Sequence, residues 1–181
     1  MIEDLLRDKS TLLPQFAQPA AITMLRVWFC KYRTLRPLAE LINLQTLVIA
    51  GYPDNDFSSI AALQNLDYLS VLHFPGVTDL APLRELRALR TLRLSSLPSW
   101  DASGKVLEVD SLAPIADLPL LEHLELLGVR PASASLAELE GTAALRSLRV
   151  SKYPEAEVAR YQSSTGMTNT FAPAPPVPDW N

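Results

Sequence analysis

The chain has 181 residues, with 16 Lys and Arg against 20 Asp and Glu, a net charge of −4, 48% apolar residues and only 7% aromatic ones. That length suffices for one domain with a sizeable core, and the composition requires the core to be built from Leu, Val, Ile and Ala. Residues 1–90 carry nine acids and nine bases, and 91–181 carry eleven and seven. With no Lys/Arg cluster, this balance argues against a nucleic-acid binder and mildly favours a basic protein partner.

No segment approaches the roughly 18 uninterrupted apolar residues of a membrane helix, and Met1-Ile2-Glu3-Asp4 lacks the basic start of a secretory signal. A soluble, cytoplasmic protein with no membrane partner is the expectation. The single cysteine, Cys30, cannot close an internal disulfide and suits a reducing compartment.

In chain order, Ile2, Leu5, Leu6, Leu12 and Leu13 give residues 1–21 the pattern of an amphipathic N-terminal cap over a first coil. From residue 22 to 153, six runs place apolar residues first, fourth and sixth: Ile22-Leu25-Val27, Leu44-Leu47-Ile49, Leu66-Leu69-Val71, Leu89-Leu92-Leu94, Leu121-Leu124-Leu126 and Leu145-Leu148-Val150. Their starts lie 22, 22, 23, 32 and 24 residues apart. The period of two within each run sets both apolar residues on one face of a strand.

Nine, six and three places before each later run stand Leu35-Leu38-Leu41, Phe57-Ile60-Leu63, Leu80-Leu83-Leu86, Leu112-Ile115-Leu118 and Leu136-Leu139-Thr142. A spacing of three is that of a 3₁₀-like turn. Pro37, Pro82 and Pro114 each precede the middle apolar residue of a return segment, where proline starts a helical turn at no cost in hydrogen bonds. Each unit therefore reads as a short strand, a loop and a tight return turn, and only stacked units can bury such leucines.

The 32-residue interval exceeds the basic unit by ten, and the excess falls at 98–110. Insertions in repeats map to loops on one face, often the binding face. Trp100 with Asp101 is thus a candidate partner anchor, and a tolerated loop with Trp100 folded onto the solenoid edge is the competing reading. Residues 154–162 begin with proline and carry acids in the first turn, the pattern of a capping helix. The segment 163–181 holds Pro173, Pro175, Pro176 and Pro178 and reads as an extended tail, which Trp180 is placed to pin.

Written out, the segment from Leu80 through Ala81, Pro82, Leu83, Leu86, Leu89 and Leu92 to Leu94 resembles the bacterial leucine-rich-repeat family, in its short internalin-like class. The resemblance covers about residues 22–151. It implies an α/β fold: a leucine-rich-repeat solenoid with a parallel sheet on the concave face and 3₁₀ turns on the convex face, capped at both ends. One departure concerns the ninth place of each unit, often Asn or Cys in that family and here Cys30, Tyr52, Phe74, Leu97, Val129 and Tyr153. Apolar and aromatic packing is expected to replace the polar ladder there.

With the leucines inward, the alternate residues face out across the concave sheet. Arg26, Trp28, Tyr68, Arg93, His123, Glu125 and Arg149 are the candidates for partner contact, because aromatic residues and arginine predominate at interface hot spots. His73 and His123 are the only histidines and no ligand set accompanies them, so no metal is expected. No glycine-rich phosphate loop is present, so no nucleotide cofactor is expected either. The leading expectation is a non-enzymatic protein-interaction module acting as a scaffold. Two alternatives stand beside it: an immunity or inhibitor protein that occludes a toxin or enzyme, and a small-ligand binder or enzyme using His123 and Glu125.

Overall fold

A computed structural model describes residues 1–100, 103–174 and 178–180. Seven strands form one parallel sheet: β1 (Ile2–Leu6), β2 (Met24–Trp28), β3 (Thr46–Ala50), β4 (Tyr68–Leu72), β5 (Thr91–Ser95), β7 (His123–Leu127) and β9 (Ser147–Ser151). Neighbours pair at the repeat spacing, so Leu25, Leu47, Leu69, Leu92, Leu124 and Leu148 stand in one row. The second inward row is Val27, Ile49, Val71, Leu94, Leu126 and Val150. All twelve side chains are buried, and each contributes on the order of 1.5–3 kcal/mol by leaving water. The chain is a leucine-rich-repeat solenoid.

On the opposite face the return segments are 3₁₀ turns at Arg36–Glu40, Ala81–Glu85 and Ala137–Leu139, and single helical turns at α1 (Ser58–Ala61) and α2 (Ala113–Ala116). Pro37, Pro82 and Pro114 occupy the second position of three of them. A second device recurs just ahead of them. The side chains of Thr34, Asp56, Asp79, Ser111 and Ser135 each accept a hydrogen bond from the main-chain N–H two residues on, at 2.8–3.1 Å. Such Asx and ST turns bend the chain into its helical turn.

At the ninth places, Tyr52 packs on Phe57 with ring centroids 5.1 Å apart, and Phe57 on Phe74 at 5.5 Å. Those three rings and Val129 are buried, which is the apolar and aromatic packing the sequence calls for. The Cys30 thiol is engaged with the Leu5 carbonyl at 3.2 Å.

Residues 2–6, which read as part of an amphipathic cap, are a strand that extends the sheet by one position. Leu5 pairs with Val27 and packs against the core, and Asp8 accepts a 2.7 Å hydrogen bond from the Tyr32 hydroxyl. At the other end, α3 (Glu155–Thr165) stops at Gly166, whose φ of +73° is left-handed. The insertion contributes a short strand, β6 (Leu107–Val109), which pairs in parallel with β8 (Val129–Pro131) as a separate two-stranded ribbon. Leu107 and Val109 are buried, so the inserted loop is tied into the core at its far end.

Candidate functional site

Three rows of side chains project from the concave face. The middle row runs Asp4, Arg26, Val48, Ser70, Arg93, Glu125 and Arg149 from β1 to β9. Glu125 is its electrostatic centre, with only 2% of its surface exposed. One carboxylate oxygen accepts from Arg93 Nε at 2.9 Å and the other from Arg149 at 3.2 Å. Arg93 also donates to the Tyr68 hydroxyl at 3.2 Å. Burial works against the Arg93 charge, but hydrogen bonds to Tyr68 and Glu125 outweigh it and raise its pKa. One carboxylate thus fixes two guanidinium groups on the last three strands of the sheet.

The flanking row holds Tyr68, Thr91, His123 and Ser147, and all four are buried although the alternation turns them outward. His123 Nδ1 lies 2.7 Å from Ser147 Oγ, and burial pushes the imidazole pKa below its ordinary value. His123 and Glu125 share a strand face, yet they serve separate networks, one with Ser147 and one with the two arginines. Beside this row lies a cleft of about 410 Å³ lined by Thr46, Asp67, Tyr68, Arg90, Glu122, His123 and Pro178. Burial raises the pKa of Asp67, whereas hydrogen bonds from Arg90 and Arg146 lower that of Glu122.

What covers the outward row is the tail. After α3, Thr170 bridges Leu148 in antiparallel fashion, and the Asn169 side chain takes both main-chain groups of Val150, accepting from its N–H at 2.7 Å and donating to its carbonyl at 3.1 Å. Phe171 then stands edge-on to His123, with centroids 6.2 Å apart, and lies 5.7 Å beneath the Arg93 guanidinium. The Pro173 main chain favours the charged imidazole of His123, a smaller influence than burial. Pro178 reaches the cleft beside β3 and β4, and the Trp180 ring lies 4.9 Å from the Arg26 guanidinium on β2. The described parts of the tail therefore touch the concave face from the last strand back to the second.

The remaining sequence candidates fall into place around this row. Arg26 is held by Asp4, with Nε 2.8 Å from a carboxylate oxygen. Trp28 sits at the N-terminal end of the sheet in edge contact with Phe29 at 5.6 Å. Trp100 is not gathered into the concave row: it packs partly buried against the core, edge-on to His73 at 5.2 Å, with the Lys105 ammonium 5.7 Å from its ring centroid. Asp101 lies outside the described residues. The contacts of Asn169 and Phe171 were absent from the sequence candidates, although Trp180 signalled that the tail has an anchor. Among the described residues no group of three or more His, Cys, Asp or Glu is placed to hold a metal, and no helix is long and apolar enough to cross a membrane.

Solved structures share this architecture. Internalin C2 of Listeria monocytogenes matches with a TM-score of 0.52 at 25% identity, over 72% of this chain and 62% of its own. An internalin of the same organism, InlF, matches with a TM-score of 0.51 at 18% identity, over 80% of this chain and 46% of its own. The fold is the bacterial, internalin-like leucine-rich-repeat solenoid, and the chain spans about half to two thirds of the length of these neighbours. No protein-family model and no curated protein matches the sequence.

Proposed function

We propose that the chain is a non-enzymatic interaction module that holds a protein partner on its concave sheet face. The observation that carries this reading is the buried Glu125 with Arg93 and Arg149 locked on either side of it. Paired guanidinium groups on a rigid sheet are pre-organised hydrogen-bond donors, which lowers the ordering cost of association. Solenoids present extended concave surfaces of this kind, and arginine and tyrosine are common anchors at them. Trp100 is engaged by His73 and Lys105, which leaves the concave row as the better-supplied surface.

Affinity capture from the native host with the full chain tests the proposal, comparing the parent protein with Arg93→Ala/Arg149→Ala and with Trp100→Ala. The partner is expected to be lost at least about tenfold by the double variant, as for hot-spot arginines, and kept by Trp100→Ala. Equal recovery by parent and double variant, with the double variant still folded by circular dichroism, would overturn it.

A further inference from the structure

The concave face already holds a polypeptide. The tail leaves β9 through Asn169 and Thr170, seats Phe171 between Arg93 and His123, and brings Trp180 to Arg26. Phe171 and Trp180 are nine positions apart in sequence. Their arginines stand on β5 and β2, three strand spacings or roughly 14 Å apart, well within the ~30 Å that nine residues can span. Each ring thus meets a guanidinium face, an attraction that strengthens as water is excluded. The two Arg sites are fixed by carboxylates on the neighbouring strands, Glu125 beside Arg93 and Asp4 beside Arg26. The tail's described ring contacts are with side chains, whereas its main-chain bridge is at the β9 edge, so its described part is held by main chain near Thr170 and by ring contacts at Phe171 and Trp180.

Resting on the concave-face reading above, we infer that the C-terminal tail is a built-in occupant of the binding surface, and that the partner is a protein presenting an extended segment with two aromatic side chains that displaces Phe171 and Trp180. The occupant's chemistry follows from its stand-in: aromatic rings for Arg93 and Arg26, and an extended backbone to pass over the buried row of Tyr68, Thr91 and His123. Because the competitor is tethered, its effective concentration is on the order of 1 mM, so a tail whose own contacts correspond to a Kd of about 100 µM lowers the apparent affinity of any competing segment by roughly tenfold. A weak intruder is refused and a tight one is admitted.

The test uses full-length protein and a fluorescent synthetic peptide of residues 167–180 as the probe. Anisotropy titrations compare the parent chain with Phe171→Ala/Trp180→Ala, whose substitutions lie in the tail and leave the solenoid core intact. The double variant is expected to bind the peptide about tenfold more tightly than the parent, to remain a monomer by light scattering, and to lose the gain when Arg26→Ala is added. A peptide with both aromatic residues replaced by Ala is expected to bind neither protein. Equal peptide affinity for parent and variant, or no binding to a folded variant, would overturn the inference. A parent dimer that falls apart in the tail variant would also overturn it, by showing that tails are exchanged between two copies. None of these results bears on the host-capture comparison, so failure of the tail and failure of the concave face are separable.

Discussion

Glu125 is the residue on which the concave face turns. Its replacement by Ala leaves two guanidinium groups without their shared carboxylate. The penalty is expected at about 1–3 kcal/mol, below the 3–5 typical of a fully buried pair because Arg93 and Arg149 both reach solvent. Chemical denaturation of Glu125→Ala checks this value. Gly128 is a second exacting position. The residue that follows six of the seven strands of the main sheet adopts a left-handed conformation, at Arg7, Phe29, Gly51, His73, Gly128 and Lys152, and at Gly128 a Cβ would also approach Ser96 Oγ to 2.3 Å. Gly128→Ala is expected to cost about 1–3 kcal/mol, from the positive φ and the displaced serine together, and its melting midpoint would show it. The left-handed corner could not be read from the sequence, because only two of those six positions are glycine.

At the level of the strand and turn, the periodic leucines disclosed nearly everything, since a side chain that must be inward every second residue admits one register. The six runs and the proline-marked return turns are where the spacing puts them. Residues 2–6 were harder, because a single exposed strand with Glu3 and Asp4 among its apolar residues has the same pattern as one turn of amphipathic helix. The Asx and ST turns had a visible signal: Thr34, Asp56, Asp79, Ser111 and Ser135 each stand directly before the first apolar residue of a return segment. Cross-coil carboxylates had a weaker one. Asp54, Glu138 and Glu157 accept from the main-chain N–H groups of Leu35, Leu112 and Leu136 in the preceding coil, at 2.7, 2.5 and 2.6 Å. Hydrogen bonds, first from Arg160 and also from Leu136, bring the Glu157 pKa from an ordinary 4.5 to about 2. A carboxylate with a lowered folded-state pKa stabilises above its unfolded value and loses that contribution as pH falls. The docking of α3 should therefore weaken between pH 4.5 and about 2, seen as earlier hydrogen exchange in Glu155–Thr165 than in β3 or β4, and Glu157→Gln should flatten that dependence.

Across the whole molecule, the solenoid stacks coils whose ends are closed differently, by a strand at the start and by α3 with the tail at the finish. Asn169 occupies both main-chain groups of Val150 at the final edge, and a sheet edge left open is a template for other chains. Both histidines add a pH dependence of opposite origin to that of Glu157. Burial lowers the pKa of His73 and of His123, so below an ordinary 6.5 the unfolded chain takes up protons that the folded chain refuses. Stability should consequently fall as pH drops from about 7 toward 5, measurable as a lower urea midpoint. The placement of the candidate surface was legible in outline, because alternation alone turns Arg26, Arg93, His123, Glu125 and Arg149 to one face. Its occupation was not, since contacts between Phe171 and a strand some fifty residues earlier leave no periodic trace. Photo-crosslinking from position 171 of the full chain, with a benzophenone side chain in place of Phe171, addresses the occupied concave face most directly. Intramolecular crosslinks to the segments carrying Arg93 and His123 are the predicted result, and crosslinks to the convex turns, or only between separate molecules, would contradict it.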